Sequence, residues 1–165
     1  MFELPEEHRM LQELVAKFVD RDLIPLEKAT LAREMSGQPS GLTEEEETKV
    51  LATCKELGLW GLDVPEEYGG ANLPYSALVG VYEEQGRTCA PFTFPPDSPN
   101  LHMLIAVAND EQKRKYLEPY ARGEMHSAIA ISEPGAGGDP AGMTTRAAVS
   151  YTHLDVYKRQ IQYGV

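Results

Sequence analysis

One short apolar segment constrains the fold more than any other feature of the chain. Residues 127–131, SAIAI, are β-compatible and lead into the glycine-rich run 131–139, ISEPGAGGD. A single strand cannot satisfy its own backbone groups, so a strand here requires neighbours in a sheet. The sequence after residue 139 supplies too few of them. We therefore predict a mainly α chain that ends with the first strand of a β domain.

Helix-periodic apolar residues dominate the chain up to Gly123. The first helix is predicted over residues 5–23, with Pro25 bending or ending it. Its apolar stripe consists of Leu11, Leu14, Val15, Phe18 and Val19.

Four further helices are predicted. One begins at the N-cap Thr43, with Glu46 as its capping-box partner, and stops at Gly58. The others run from about residue 74 to 86, over residues 101–108, and from the cap Asp110 onward. The residues expected to face inward on the third and fifth helices are Leu78, Val79 and Tyr82, and Tyr116, Leu117 and Tyr120.

Composition excludes several classes of function. The net charge of −11 argues against a nucleic-acid partner and against anionic membrane surfaces. No apolar run approaches the roughly 18 residues of a membrane span, and the acidic N-terminus resembles neither a secretory signal nor a transit peptide. The two cysteines and four histidines lack metal-ligand spacing, so we expect no metal and a reduced, cytoplasmic location.

The last part of the chain does not fit the preceding pattern. Residues 149–160, VSYTHLDVYKRQ, can be encoded by DNA that is nearly its own reverse complement and matches transposase adapters of sequencing libraries. We interpret residues 149–165 as an adapter-derived or unrelated tail and leave it out of the fold argument. The alternative is a genuine strand with a turn.

The glycine-rich run carries the candidate chemistry. Gly135, Gly137 and Gly138 would allow positive φ angles and close backbone approach by a ligand, and Ser132 adds a hydroxyl. Exposed amides in such a turn can hold an acceptor-rich ring or a phosphate. The spacing fits neither a P-loop nor a Rossmann fingerprint, and a plain tight turn remains an alternative.

Three motifs resemble one known family. They are LGLWGLDVPEEYGG at 57–70, NDEQKRKYLEPYARGE at 109–124 and AISEPGAGGDPAGMTTRA at 130–147. In this order and separation they are similar to the acyl-CoA dehydrogenases, over about residues 3–148. The resemblance implies an N-terminal helical domain at 1–125 and the start of a middle β domain at 126–148.

The resemblance also implies a chemistry. The family binds FAD without a covalent bond and oxidises an acyl-CoA thioester to the trans-2-enoyl-CoA. A glutamate base removes the α-proton and the flavin receives the β-hydride. Electrons usually leave to an electron-transfer flavoprotein, and the intact protein is expected to be a homo-oligomer.

The resemblance places site residues in the glycine-rich run. Six positions match those that line the flavin, namely Ile129, Ala130, Ile131, Ser132, Gly137 and Gly138. The family commonly has serine at Gly138, where it also contacts the acyl-CoA, so glycine loses that hydroxyl. Asp139 matches a loop-ending acid whose expected role is structural.

No residue matches the family's catalytic glutamate, which lies in a C-terminal four-helix bundle. We therefore expect a truncated, inactive gene fragment with no catalytic residue of its own. The alternatives are a related flavoprotein, such as an oxidase or a monooxygenase, and a noncatalytic helical interaction module.

Overall fold

The computed structural model describes residues 5–96, 98–146, 148–150 and 153–155, with only the backbone for residues 98, 99, 148–150 and 153–155. The chain divides into two units, Met1–Ala128 and Ile129–Val165. The first unit is helical, which confirms the predicted mainly α fold of the N-terminal domain. Among the described residues, no helix combines the length and apolar character needed to cross a bilayer.

The described part of the first unit contains seven α-helices: α1 Glu6–Phe18, α2 Ile24–Met35, α3 Glu44–Glu56, α4 Tyr75–Gln85, α5 Ser98–Val107, α6 Asp110–Gln112 and α7 Glu118–Arg122. Two π-helical segments, Val19–Leu23 and Lys113–Leu117, join α1 to α2 and α6 to α7. A 3₁₀ turn covers Glu66–Tyr68.

The first helix does not end where the sequence predicted. Its path continues from α1 through the π segment into α2, where Ile24 N–H donates to the carbonyl of Val19. Pro25 lies in the first turn of α2, and because proline has no N–H, it interrupts the hydrogen-bond pattern of the continuous helical path directly after the π segment. The predicted bend at Pro25 is therefore replaced by the π segment directly before it.

Helix α3 begins as predicted. The Thr43 hydroxyl accepts from Glu46 N–H at 3.3 Å, and the Glu46 carboxylate accepts from Thr43 N–H at 2.8 Å. The Thr43 backbone bond, followed by the hydrogen bond from Arg33, lowers the pKa of Glu46. The predicted stop at Gly58 is confirmed, because this residue has a φ of +69°.

Helix α4 packs on α1, but its buried face differs from the prediction. Leu78 is buried as expected, together with Ala77, Gly80 and Val81. Val79 and Tyr82 are instead 66% and 47% exposed. The short residues on the buried face let the two helices approach closely, because a Cβ on Gly80 would lie 3.4 Å from the Gln12 side chain.

The N-cap of the run of residues 110–122 lies one residue before the predicted cap. Asn109 is the N-cap and forms a capping box with Gln112, while Asp110 is the first helical residue. Leu117 is buried as expected, but Tyr116 is 41% exposed. Leu117 packs in an apolar cluster with Val64, Leu101, Tyr120 and Ala121.

Trp60, in the loop that follows α3, holds the end of the run 110–122 in place. Its indole Nε1 donates to the Ala121 carbonyl at 2.8 Å, and the Lys55 ammonium lies 4.2 Å from the ring centroid. Gly123 follows α7 with a φ of +78° and lies directly against the indole. The close approach therefore requires glycine for both backbone conformation and space.

The second unit has little regular structure among its described residues. A 3₁₀ turn covers Pro140–Gly142, and β1, Ala148–Ser150, pairs antiparallel with β2, His153–Asp155. Residues 127–131, predicted as a strand, form no ladder, because no neighbouring strand is present among the described residues to pair with them. Most of the tail 149–165 lies outside the described residues, so its adapter origin stays a prediction.

Candidate functional site

The glycine-rich run of the second unit folds into a closed loop. Glu133 and Ala136 exchange two backbone hydrogen bonds, Glu133 N–H to Ala136 O at 2.9 Å and Ala136 N–H to Glu133 O at 3.0 Å. The Asp139 carboxylate accepts from Ala141 N–H at 3.0 Å and caps the 3₁₀ turn that follows. Asp139 thus has the structural role expected for it.

The side chain of Glu133 joins the two ends of this loop. Its Oε2 accepts from Thr144 N–H at 2.8 Å and from the Thr144 hydroxyl at 2.9 Å. Its Oε1 accepts from Thr145 N–H at 2.8 Å. These hydrogen bonds, first those from Thr145 and then those from Thr144, lower the pKa of Glu133 to about 2.

The glycines contribute space rather than unusual backbone angles. None of Gly135, Gly137 and Gly138 has a positive φ, so the loop does not use the left-handed backbone angles that glycine would allow here. A Cβ built on any of the three would meet nothing within 4 Å. Among the described residues, the amides of Gly137 and Gly138 also donate to no acceptor. The loop therefore exposes backbone amides that a ligand could approach closely.

The predicted site residues before the loop are exposed as well. Ile129 and Ile131 are 55% and 56% exposed, and Ala130 and Ser132 are also exposed. Exposed isoleucines beside an open glycine loop mark a surface suited to a partly apolar ligand or to another part of the protein. These residues and the open amides fit the edge of a planar, acceptor-rich cofactor such as a flavin.

The helical unit contains a cavity that the sequence did not predict. Its volume is about 450 Å³, which lies in the range of small-molecule sites. Its lining includes six aromatic or apolar side chains, Leu51, Trp60, Phe92, Phe94, Tyr120 and Met125. Because these residues come from α3, from two loops, and from α7 with the residues directly after it, no local pattern in the sequence connects them.

Polar groups also line the same cavity. His126 and Ser127 are part of its lining. The Ser127 hydroxyl donates to the Tyr120 hydroxyl at 2.8 Å and accepts from the Asn100 amide at 2.7 Å. The cavity therefore combines an aromatic wall with a few fixed hydrogen-bonding groups. In the part of the chain that the structure describes, no three His, Cys, Asp or Glu side chains group as metal ligands would.

Comparison with known proteins shows which family the helical domain resembles. A family model described as "Acyl-CoA dehydrogenase, N-terminal domain" matches residues 5–124. The (R)-benzylsuccinyl-CoA dehydrogenase of Thauera aromatica is 40% identical over 154 residues, covering 88% of this chain and 38% of that protein. A 3-(aryl)acrylate reductase of Clostridium sporogenes is 32% identical, covering 86% of this chain and 36% of that protein.

A solved structure shows the same fold. The crystal structure of an acyl-CoA dehydrogenase from Geobacillus kaustophilus superposes with a TM-score of 0.64 and 27% identity, covering 85% of this chain and 35% of that one. The chain spans less than two-fifths of the length of each of these proteins. With the helical domain matched from residue 5 to 124, the chain belongs to the acyl-CoA dehydrogenase family.

Proposed function

We propose that the chain is the N-terminal part of a flavin-dependent acyl-CoA dehydrogenase. The longer protein would oxidise an acyl-CoA thioester to the trans-2-enoyl-CoA. The observation that carries this proposal is the open glycine loop at 133–145, which follows a helical domain of this family. The relative from Thauera aromatica is named (R)-benzylsuccinyl-CoA dehydrogenase.

Six residues would form one edge of the FAD site: Ile129, Ala130, Ile131, Ser132, Gly137 and Gly138. The exposed amides of the two glycines would donate to acceptor atoms of the cofactor, and the Ser132 hydroxyl would add a further hydrogen bond. When bound, FAD supplies the acceptor for the substrate's β-hydride. The isoleucines would cover apolar parts of the ring system and exclude water from that edge.

The chain by itself is proposed to be inactive. It has no match to the family's glutamate base, and the loop supplies only one edge of the cofactor site. We expect the purified 165-residue chain to lose FAD during gel filtration, because most of the contacts that would hold the flavin are not encoded in it. Retention of stoichiometric yellow cofactor through the column would contradict this expectation.

The longer protein provides the direct test of activity. Its uninterrupted reading frame should be recovered, expressed and assayed for bound FAD and for formation of an enoyl-CoA. We expect electron transfer to an electron-transfer flavoprotein, a homo-oligomer and a cytoplasmic location. A purified protein that holds no flavin, or that holds FAD without oxidising any acyl-CoA, would refute the proposed reaction.

The substrate is proposed to carry an aromatic ring. Two relatives are named for a benzylsuccinyl and an aryl compound, and the helical cavity has an aromatic lining. The longer protein should therefore turn over aryl-substituted acyl-CoA faster than linear acyl-CoA of equal carbon number. The variant Leu51→Trp, which places a ring inside the cavity, should lower this preference. Val79→Trp, at an exposed position of α4, is the control.

A related flavoprotein activity is the second candidate, because Gly138 lacks the hydroxyl that dehydrogenases of the family commonly provide there. The variant Gly138→Ser has room for its side chain, since a Cβ meets nothing within 4 Å. If the protein is a dehydrogenase, this variant should bind acyl-CoA at least as tightly as the wild type. Oxygen consumption with acyl-CoA and no other electron acceptor would instead identify an oxidase.

A further inference from the structure

The contacts of Glu133 differ from those expected of an exposed acid in a loop. Both carboxylate oxygens accept hydrogen bonds from the same two residues, Thr144 and Thr145, eleven and twelve positions further along the chain. Three donors, two of them backbone amides, converge on one carboxylate. Hydrogen bonds to an ionised group are about twice as strong as neutral ones, so this set forms a clamp across the loop.

The backbone of the same residue closes the inner turn. Glu133 exchanges two hydrogen bonds with Ala136, which is buried, and a Cβ on Gly142 would lie 3.5 Å from the Ala136 Cβ. Glu133 therefore closes the turn 133–136 through its backbone and holds Thr144 and Thr145, at the end of the loop, through its side chain. Gly137 and Gly138 lie between these two fixed points.

We propose that Glu133 is a positioning residue that preorganises the flavin loop by clamping Thr144 and Thr145 to the turn before Gly137. This inference rests on the proposed function, and it assigns to Glu133 a role separate from the residues that touch the cofactor. A loop ordered before binding loses less conformational entropy when the ligand arrives, which raises affinity without adding a contact.

The same geometry excludes Glu133 as a proton-abstracting base. Its carboxylate oxygens already accept three hydrogen bonds, and those bonds hold its pKa at about 2. A general base works best with a pKa near the operating pH, several units higher. Although Glu133 is an acid in the flavin loop, its chemistry suits structure rather than catalysis.

The first test uses the 165-residue chain and the variant Glu133→Gln. Glutamine keeps the shape but replaces one acceptor oxygen with an NH₂ donor, so at least one amide must lose its partner. We expect hydrogen exchange to accelerate roughly tenfold or more at whichever of the Thr144 and Thr145 amides loses its partner. The control is Glu124→Gln, whose carboxylate pairs with Arg122 and should leave both amides unchanged. Equal exchange rates in the wild type and Glu133→Gln would overturn the clamp.

The second test uses the longer protein and separates this inference from the proposed function. Glu133→Gln should weaken FAD binding roughly tenfold, and Glu133→Asp should also weaken it because the shorter side chain cannot reach both threonines. The melting temperature of the flavin-free protein should change little. Unchanged FAD affinity in Glu133→Gln would overturn the inference alone. A wild-type protein that binds no FAD would overturn the proposed function, while the exchange measurement would still decide whether Glu133 holds the loop.

Discussion

Replacing Gly123 with alanine tests how the run of residues 110–122 is fixed to Trp60. Gly123 has a φ of +78°, a conformation that L side chains rarely adopt. A Cβ at this position would lie 2.5 Å from the Trp60 Cη2 and closer still to Cζ2. The substitution therefore combines a backbone penalty with a steric clash against an indole that is itself held by a hydrogen bond to Ala121.

The two penalties can be estimated separately. A left-handed backbone costs a non-glycine residue about 1–2 kcal/mol. Forcing a methyl group into a packed contact typically costs about 1–3 kcal/mol more. Gly123→Ala should therefore lower the free energy of unfolding by about 2–5 kcal/mol. Gly58→Ala has a similar φ of +69° and no atom within 4 Å of the added Cβ, so it should lose only about 1–2 kcal/mol.

Urea unfolding followed by far-UV circular dichroism measures both variants. Gly58→Ala is the matched control for the cost of the left-handed backbone. The difference between the two variants in the free energy of unfolding therefore measures the clash with Trp60. In the background Trp60→Leu, the excess cost of Gly123→Ala should largely disappear. Equal destabilisation by the two glycine substitutions would show that the indole does not pack against residue 123 as described.

Four further predictions concern the helical unit and the tail. Thr43→Ala removes one half of the α3 capping box and should cost about 1 kcal/mol in urea unfolding. The stability that Glu46 contributes through its lowered pKa should be fully present at neutral pH and should decline as the pH falls below about 4.5. Over that range the free energy of unfolding should fall more steeply with pH in the wild type than in Glu46→Gln. Burial raises the pKa of the Cys54 thiol to about 12, so only the exposed Cys89 should react quickly with a thiol reagent in the native state. Fast reaction of both thiols would be inconsistent with the buried position of Cys54. Deleting residues 149–165 should leave the melting temperature unchanged or higher, and a clear drop would show that the tail stabilises the fold.

Features set by neighbouring residues were predictable from sequence. The Thr43–Glu46 capping box and the stop at Gly58 depend on hydrogen bonds and backbone angles within a few residues, so the local pattern determines them. The cap of the last helical run was misplaced by one residue, because Asn109 and Asp110 are both good caps and the local capping box between Asn109 and Gln112 was overlooked. The family resemblance was likewise carried by contiguous motifs, and the match over residues 5–124 confirms it.

Features that join distant segments were decided by the tertiary structure. The face of α4 is set by its packing against α1, which buries Gly80 and leaves Val79 and Tyr82 outside. The aromatic cavity takes side chains from four separate segments, and no spacing rule connects them.

The glycine-rich run shows both contributions in one place. The sequence by itself determined that bare backbone would be available here, because glycine has no side chain to cover it. Only the folded loop decided how that backbone is held: Glu133 reaches Thr144 and Thr145 across eleven and twelve residues. The physical reason is that glycine content is a property of single positions, whereas a clamp requires two segments to meet, and that meeting depends on how the whole loop folds.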